Sequence, residues 1–118
     1  MVRLFENSWI NSLGEKDGWA FELGGDVVWW SYHALFDAHT GEESNGSLKF
    51  SYEDFKRLLE EFLRQGRAHL KINGGCVTLV QRGSDICVRV DDFCGYGISD
   101  LITEIPSQVF ELFGIVKN

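Results

Sequence analysis

Several absences limit what this chain can be. It has one proline and no low-complexity run among its 118 residues, so extended disorder is not expected. The first seven residues lack the apolar core and small-residue cleavage site of a signal peptide. No apolar segment approaches the roughly 20 residues that span a bilayer. Given these absences and three cysteines without paired spacing, we expect reduced thiols in a cytoplasmic protein.

Patterns typical of metal sites and of common catalytic sites are also missing. Structural zinc sites use cysteines in close pairs, whereas Cys76, Cys87 and Cys94 are widely spaced and the three histidines are scattered. The glycine pairs at 24–25 and 74–75 are not followed by the helix start that a phosphate-binding loop needs. The sequence therefore predicts no metal, no cofactor and no enzymatic activity.

Positive charge is scarce, and it is unevenly distributed. The net charge is −7, and residues 1–50 carry eight acidic against three basic side chains. Residues 51–90 carry five against seven, and residues 91–118 carry five against one. Since affinity for nucleic acids comes largely from lysine and arginine on phosphates, direct binding to DNA or RNA is not expected, and binding to an anionic membrane is not expected either.

The clearest pattern that is present lies between Phe50 and Asp92. Apolar residues at helical spacing, preceded by Ser51 and closed by Gly66, predict a capped helix over 52–65. Alternating segments around Asn73-Gly74 and around the turn at 82–85 predict two antiparallel hairpins. In the second hairpin, Thr78 should lie opposite Arg89, and Val80 opposite Cys87.

The remaining segments complete a predicted α+β fold in a single domain, 1–118. Residues 2–13 show apolar spacing of three and four, which indicates a short helix, with a strand as the alternative. Strands are expected at 19–23, 27–36 and 48–50, and an exposed loop at 38–47. Segment 98–105 fits a strand or a short helix, and a final helix is predicted over 107–116. We expect both main helices to pack on one antiparallel sheet of five to six strands.

The final helix should bury one apolar stripe. Its predicted members are Val109, Leu112, Phe113 and Val116, which follow at intervals of three and four residues.

Candidate binding residues are acidic or aromatic. One predicted patch comprises Asp91, Asp92, Tyr96, Asp100 and Glu104. A second lies on the polar loop and comprises Asp37, Glu42 and Glu43. Asp91 and Asp92 are adjacent in a strand, so they should point to opposite faces and not share one ion. Trp29 lies on the mixed face of the long apolar strand, where it would serve as an aromatic anchor for a partner.

In size, charge and mixed α/β content, the chain resembles two groups of small acidic bacterial proteins. The first is the immunity proteins, which neutralise a toxin that is often a basic nuclease. The resemblance implies a non-enzymatic binding protein that blocks a basic partner through an acidic, aromatic-bearing surface. The second group is the secretion chaperones, which would require a dimer and an apolar groove. A small ligand-binding or enzymatic domain is a further alternative.

Overall fold

The computed structural model describes residues 1–37, 42–92 and 97–116, with the side chains of 34–37, 43 and 44 excluded. The chain is α+β and divides into two compact units, Met1–Phe50 and Ser51–Asn118. Each unit contains one four-stranded antiparallel sheet with its strands in sequence order. The prediction of one sheet with five to six strands is therefore wrong. Within the described residues, no helix is both long and apolar enough to cross a bilayer.

The N-terminal sheet is formed by β1 (Val2–Ile10), β2 (Lys16–Gly24), β3 (Val27–Asp37) and β4 (Glu42–Ser51). One face is buried and strongly aromatic. Phe21, Val28 and Trp30 are fully buried there, and the Phe21 ring lies 4.7 Å from that of Phe5. Val28 and Trp30 alternate along β3 with Trp29, which therefore belongs to the opposite face.

The expected N-terminal helix is wrong and the strand alternative is confirmed, because residues 2–10 form the edge strand β1. A bulge between Arg3 and Phe5 shifts the register, so that Leu4 and Phe5 are both buried in succession. This extra residue interrupts the alternation of a regular strand. The apolar spacing then resembles that of a helix.

The expected loop at 38–47 is also wrong in part. Residues 42–47 belong to β4, which pairs with β3, while 38–41 lie outside the described residues. Glu, Ser, Asn and Gly have low strand propensity, but hydrogen bonding to a neighbouring strand overrides such preferences.

The C-terminal unit begins with helix α1 (Tyr52–Gln65), as predicted. Ser51 Oγ accepts a hydrogen bond from the Asp54 N–H at 3.1 Å. Gly66 closes the helix with φ of 73°, and its N–H donates to the Phe62 carbonyl oxygen. The helix buries Phe55, Leu58, Leu59 and Phe62. Both ends of α1 are therefore defined by local sequence signals.

The C-terminal sheet consists of β5 (Arg67–Ile72), β6 (Gly75–Arg82), β7 (Asp85–Asp92) and β8 (Gly97–Ile102). The predicted register is confirmed, with Thr78 opposite Arg89 and Val80 opposite Cys87. In the segment 98–105 the strand alternative is confirmed for 98–102, which belong to β8 and pair with β7, whereas 103–105 are neither strand nor helix. Val77, Leu79, Val88 and Val90 are buried on the inner face of this sheet.

The final helix, α2 (Ser107–Leu112), is shorter than the predicted 107–116. Gly114 adopts φ of 67°, a left-handed conformation that ends a helix. Val109, Phe110 and Phe113 are buried, whereas Leu112 and Val116 are exposed. The predicted apolar stripe is therefore correct for two of its four members, and Phe110 was missed.

Candidate functional site

The outer face of the N-terminal sheet is the face opposite its aromatic core. Three rows of paired residues cross strands β1, β2 and β3 on this face. In order from the β1–β2 turn towards the β2–β3 turn, the rows are Ser8–Gly18–His33, Glu6–Ala20–Ser31 and Arg3–Glu22–Trp29. Arg3, Glu6, Ser8 and His33 are exposed, whereas the core residues of the other face are buried. This outer face is accessible to a partner.

A shallow trough lies along the middle strand of this face. Its floor is Gly18 and Ala20, which have little or no side chain, while larger side chains rise from the strands on either side. The volume is about 220 Å³. Small-molecule pockets usually have volumes of about 300–1,000 Å³. The trough has room for a single side chain of a partner and is small for a cofactor.

Ion pairs lie along the β1 side of the trough. Arg3 Nη1 donates to Glu6 Oε2 at 2.8 Å, and Arg3 Nη2 lies 3.7 Å from Glu22 Oε2. Lys16 Nζ is 3.7 Å from Glu6 Oε2. All these groups are partly exposed, so they add little to stability. They do show that the carboxylates of this face attract cations.

Trp29 offers a second cation-binding feature beside the trough. It pairs with Glu22 across the sheet and is half-buried. Lys49 Nζ lies 5.1 Å from the centre of its ring, within the range of a cation–π interaction. The predicted aromatic anchor therefore lies on an accessible face, and its ring is already in contact with the charged group of Lys49.

The predicted patch at 91–104 is divided between the two faces of the C-terminal sheet. Asp91 points to the outer face, where it accepts two hydrogen bonds from Arg89 at 2.8 and 2.9 Å. As expected, Asp92 alternates to the opposite face of the strand. Asp100 pairs with Val88 and shares its inner face, and Glu104 is exposed beyond β8. Tyr96 lies outside the described residues.

The second predicted patch is only partly described. Glu42 is exposed near the start of β4. Asp37 and Glu43 belong to β3 and β4, but their side chains lie outside the description. As partner contacts, both predicted patches stay predictions.

The outer face of the C-terminal sheet carries more basic than acidic side chains. Arg67, His69, Lys71 and Arg89 are exposed there, together with the carboxylate of Asp91. His69 Nδ1 and Thr78 Oγ1 are 2.8 Å apart. Part of the positive charge of residues 51–90 therefore lies on the outer face of the C-terminal sheet.

Cys76 is the thiol with the most perturbed environment among the described residues. Its Sγ lies 3.9 Å from Asp91 Oδ2. Burial and the negative charge of Asp91 raise the pKa of the Cys76 thiol, and Arg89 opposes them. A raised pKa leaves less thiolate at neutral pH, which makes Cys76 a poor nucleophile.

We expect Asp91→Asn to lower the pKa of Cys76, because it removes a neighbouring negative charge and frees Arg89. The remaining burial should keep the pKa above its ordinary value. The measurement is the alkylation rate of Cys76 by iodoacetamide as a function of pH, with Cys87 as the internal control. A faster rate at Cys76 alone is expected. An unchanged or slower rate would show that Asp91 does not set this pKa.

No group of three or more metal-ligating side chains occurs in the described ranges 1–37, 42–92 and 97–116. No protein-family model, curated protein or solved structure matches this chain. The function must therefore be argued from the surfaces alone.

The trough is the feature that sequence reasoning missed. Gly18 and Ala20 alternate in β2 with buried Trp19 and Phe21, which is a visible signal. To recognise a trough, however, both neighbouring strands must be known, and the apolar spacing of β1 indicates a helix as readily as a strand.

Proposed function

We propose that this chain is a non-enzymatic binding protein that neutralises a basic partner protein, in the manner of a toxin-immunity inhibitor. The proposed contact surface is the outer face of the N-terminal sheet. The main supporting observation is that all three basic side chains of residues 1–50 lie against groups that bind cations. Arg3 and Lys16 contact carboxylates, and Lys49 lies over Trp29.

An excess of negative charge remains in this unit after those contacts. Residues 1–50 contain eight acidic and three basic side chains. Glu15 and Asp26 are exposed at the β1–β2 and β2–β3 turns, so part of the excess is accessible at both ends of β2. The negative potential would attract a basic partner. Basic side chains of the partner would then replace the chain's own basic side chains at the carboxylates.

The proposed surface combines the two properties that such an inhibitor needs. Complementary charge speeds association, because it steers the partner towards the correct face. A partly buried tryptophan slows dissociation, because aromatic anchors contribute much of the binding energy at interfaces. Glu22 and Trp29 are cross-strand neighbours, so both effects act at one place.

The test is affinity capture from the native organism at low salt, with the wild type and two charge-reversed variants. Glu6→Lys with Glu22→Lys should lose a basic protein that the wild type retains, since the two carboxylates of the contact face are replaced by cations. Glu53→Lys with Glu60→Lys makes the same change of net charge on exposed positions of α1 and should retain it. Retention should also fall at about 0.5 M salt, where the screening length is only a few ångströms.

Either of two results would contradict the proposal. If the face variant and the helix variant retain the same proteins, the outer face is not the contact surface. If the retained partner is acidic, charge complementarity does not drive the binding.

A further inference from the structure

Glu22 is a partly exposed carboxylate whose ion pair with Arg3 is long. Its side chain is 23% exposed, and its distance of 3.7 Å from Arg3 is too long for a hydrogen bond. Within the described residues, Glu22 accepts no hydrogen bond from a side chain. Arg3 instead bonds Glu6 at 2.8 Å. The Glu22 carboxylate can therefore accept hydrogen bonds from a partner at this end of the trough.

The geometry around Glu22 selects among possible donors. The trough has a volume of about 220 Å³, its walls bear the hydroxyl groups of Ser8 and Ser31, and Trp29 lies next to Glu22. Guanidinium groups form two parallel hydrogen bonds to a carboxylate and also stack on aromatic rings. An ammonium group is a compact charge that does not match this planar geometry.

We infer that the trough is a binding site for an arginine side chain, with Glu22 as the acceptor and Gly18 and Ala20 as the floor. This inference rests on the proposed function and specifies which side chain of the basic partner enters the surface. The partner's arginine extends over Ala20, and its guanidinium reaches Glu22 beside the Trp29 ring. Arg3 is the chain's own competitor for the same carboxylate.

The probe is the peptide acetyl-Gly-Arg-Gly-amide, titrated into the whole chain and followed by backbone amide NMR shifts. We expect saturable shifts at Gly18, Ala20 and Glu22, with a dissociation constant on the order of millimolar for one side chain. The matched peptide has citrulline in place of arginine, which keeps the shape and removes the charge. It should give no saturable shifts.

Variants of the chain assign the contact. Glu22→Gln should weaken peptide binding about tenfold or more, since a hydrogen bond to a charged group is lost. Glu15→Gln removes one charge from an exposed turn and should change binding less than about twofold, because exposed charges interact weakly. Ala20→Leu fills the trough and should abolish binding, while Arg3→Gln removes the competitor and should strengthen it. The NMR spectrum of each variant shows directly whether it is folded.

Different results would contradict the arginine site and the proposed function. Equal shifts with the citrulline peptide, or unchanged binding by folded Glu22→Gln, would overturn the arginine site. If a basic partner is still retained by Ala20→Leu, the proposed function stands without the site. If the peptide binds the trough but no basic partner is retained by the wild type, the site stands and the proposed function falls.

Discussion

Replacement of Gly18 by alanine is expected to unfold or strongly destabilise the N-terminal sheet. A Cβ atom at this position would lie 2.6 Å from Ser8 Cα and closer still to the Asn7 carbonyl oxygen. The obstacle is backbone of the paired strand β1, which cannot rotate away as a side chain can. Gly18 also has φ of 139°, a conformation that L-residues rarely adopt. Together we expect a loss of about 3 kcal/mol or more.

A matched control separates the clash from the backbone conformation. Gly25 has φ of 63°, but a Cβ atom there would meet nothing within 4 Å. Gly25→Ala should therefore cost only about 1 kcal/mol, the usual penalty of the left-handed region. All four tryptophans lie within residues 1–50, so tryptophan fluorescence during urea unfolding reports on this unit. Equal losses for the two variants would show that close packing of β1 on β2 at Gly18 is not the cause.

Replacement of Phe113 by alanine is the second large effect that we expect. The side chain is fully buried, and its ring lies 4.7 Å from that of Tyr52 and 5.7 Å from that of Phe55. Removing it leaves a cavity between the chain end and α1. Such substitutions cost about 3–5 kcal/mol.

The neighbouring residue provides the control. Leu112 is 42% exposed, so Leu112→Ala should cost less than about 1 kcal/mol, as expected for a surface substitution. Urea unfolding followed by the helical circular dichroism signal measures both, since both helices lie in the C-terminal unit. A similar cost for the two variants would contradict the burial pattern at the end of α2 and support the apolar stripe predicted from spacing.

The segment from Phe50 to Asp92 was predictable because its signals are local. Ser51, Gly66 and Asn73-Gly74 each act on residues within one helical turn or one hairpin. Since the side chains of a strand alternate, a two-residue turn also fixes the register of the hairpin. For this reason the sequence alone predicts the pairing of Thr78 with Arg89, which the structure confirms.

The candidate site could not be predicted in the same way. The trough depends on the pairing of Gly18 with Ser8 on one side and with His33 on the other. The bulge near Phe5 hid the strand character of β1, so the first of these pairings was not available from the spacing. For the same reason, Glu6 and Glu22 were not recognised as neighbours.

Sequence alone determined the α+β class, the capped helix, the tight turns and the excess of acidic residues at 1–50, because these follow from composition and from interactions between near neighbours. Only the tertiary structure decided that the strands form two sheets of four, and that Asp91 is tied to Arg89. It also decided that Glu22 lies with Trp29 at the end of a trough. These features depend on which strands pair and on how the strand register places side chains on a common face, and such non-local choices leave no periodic mark in the sequence.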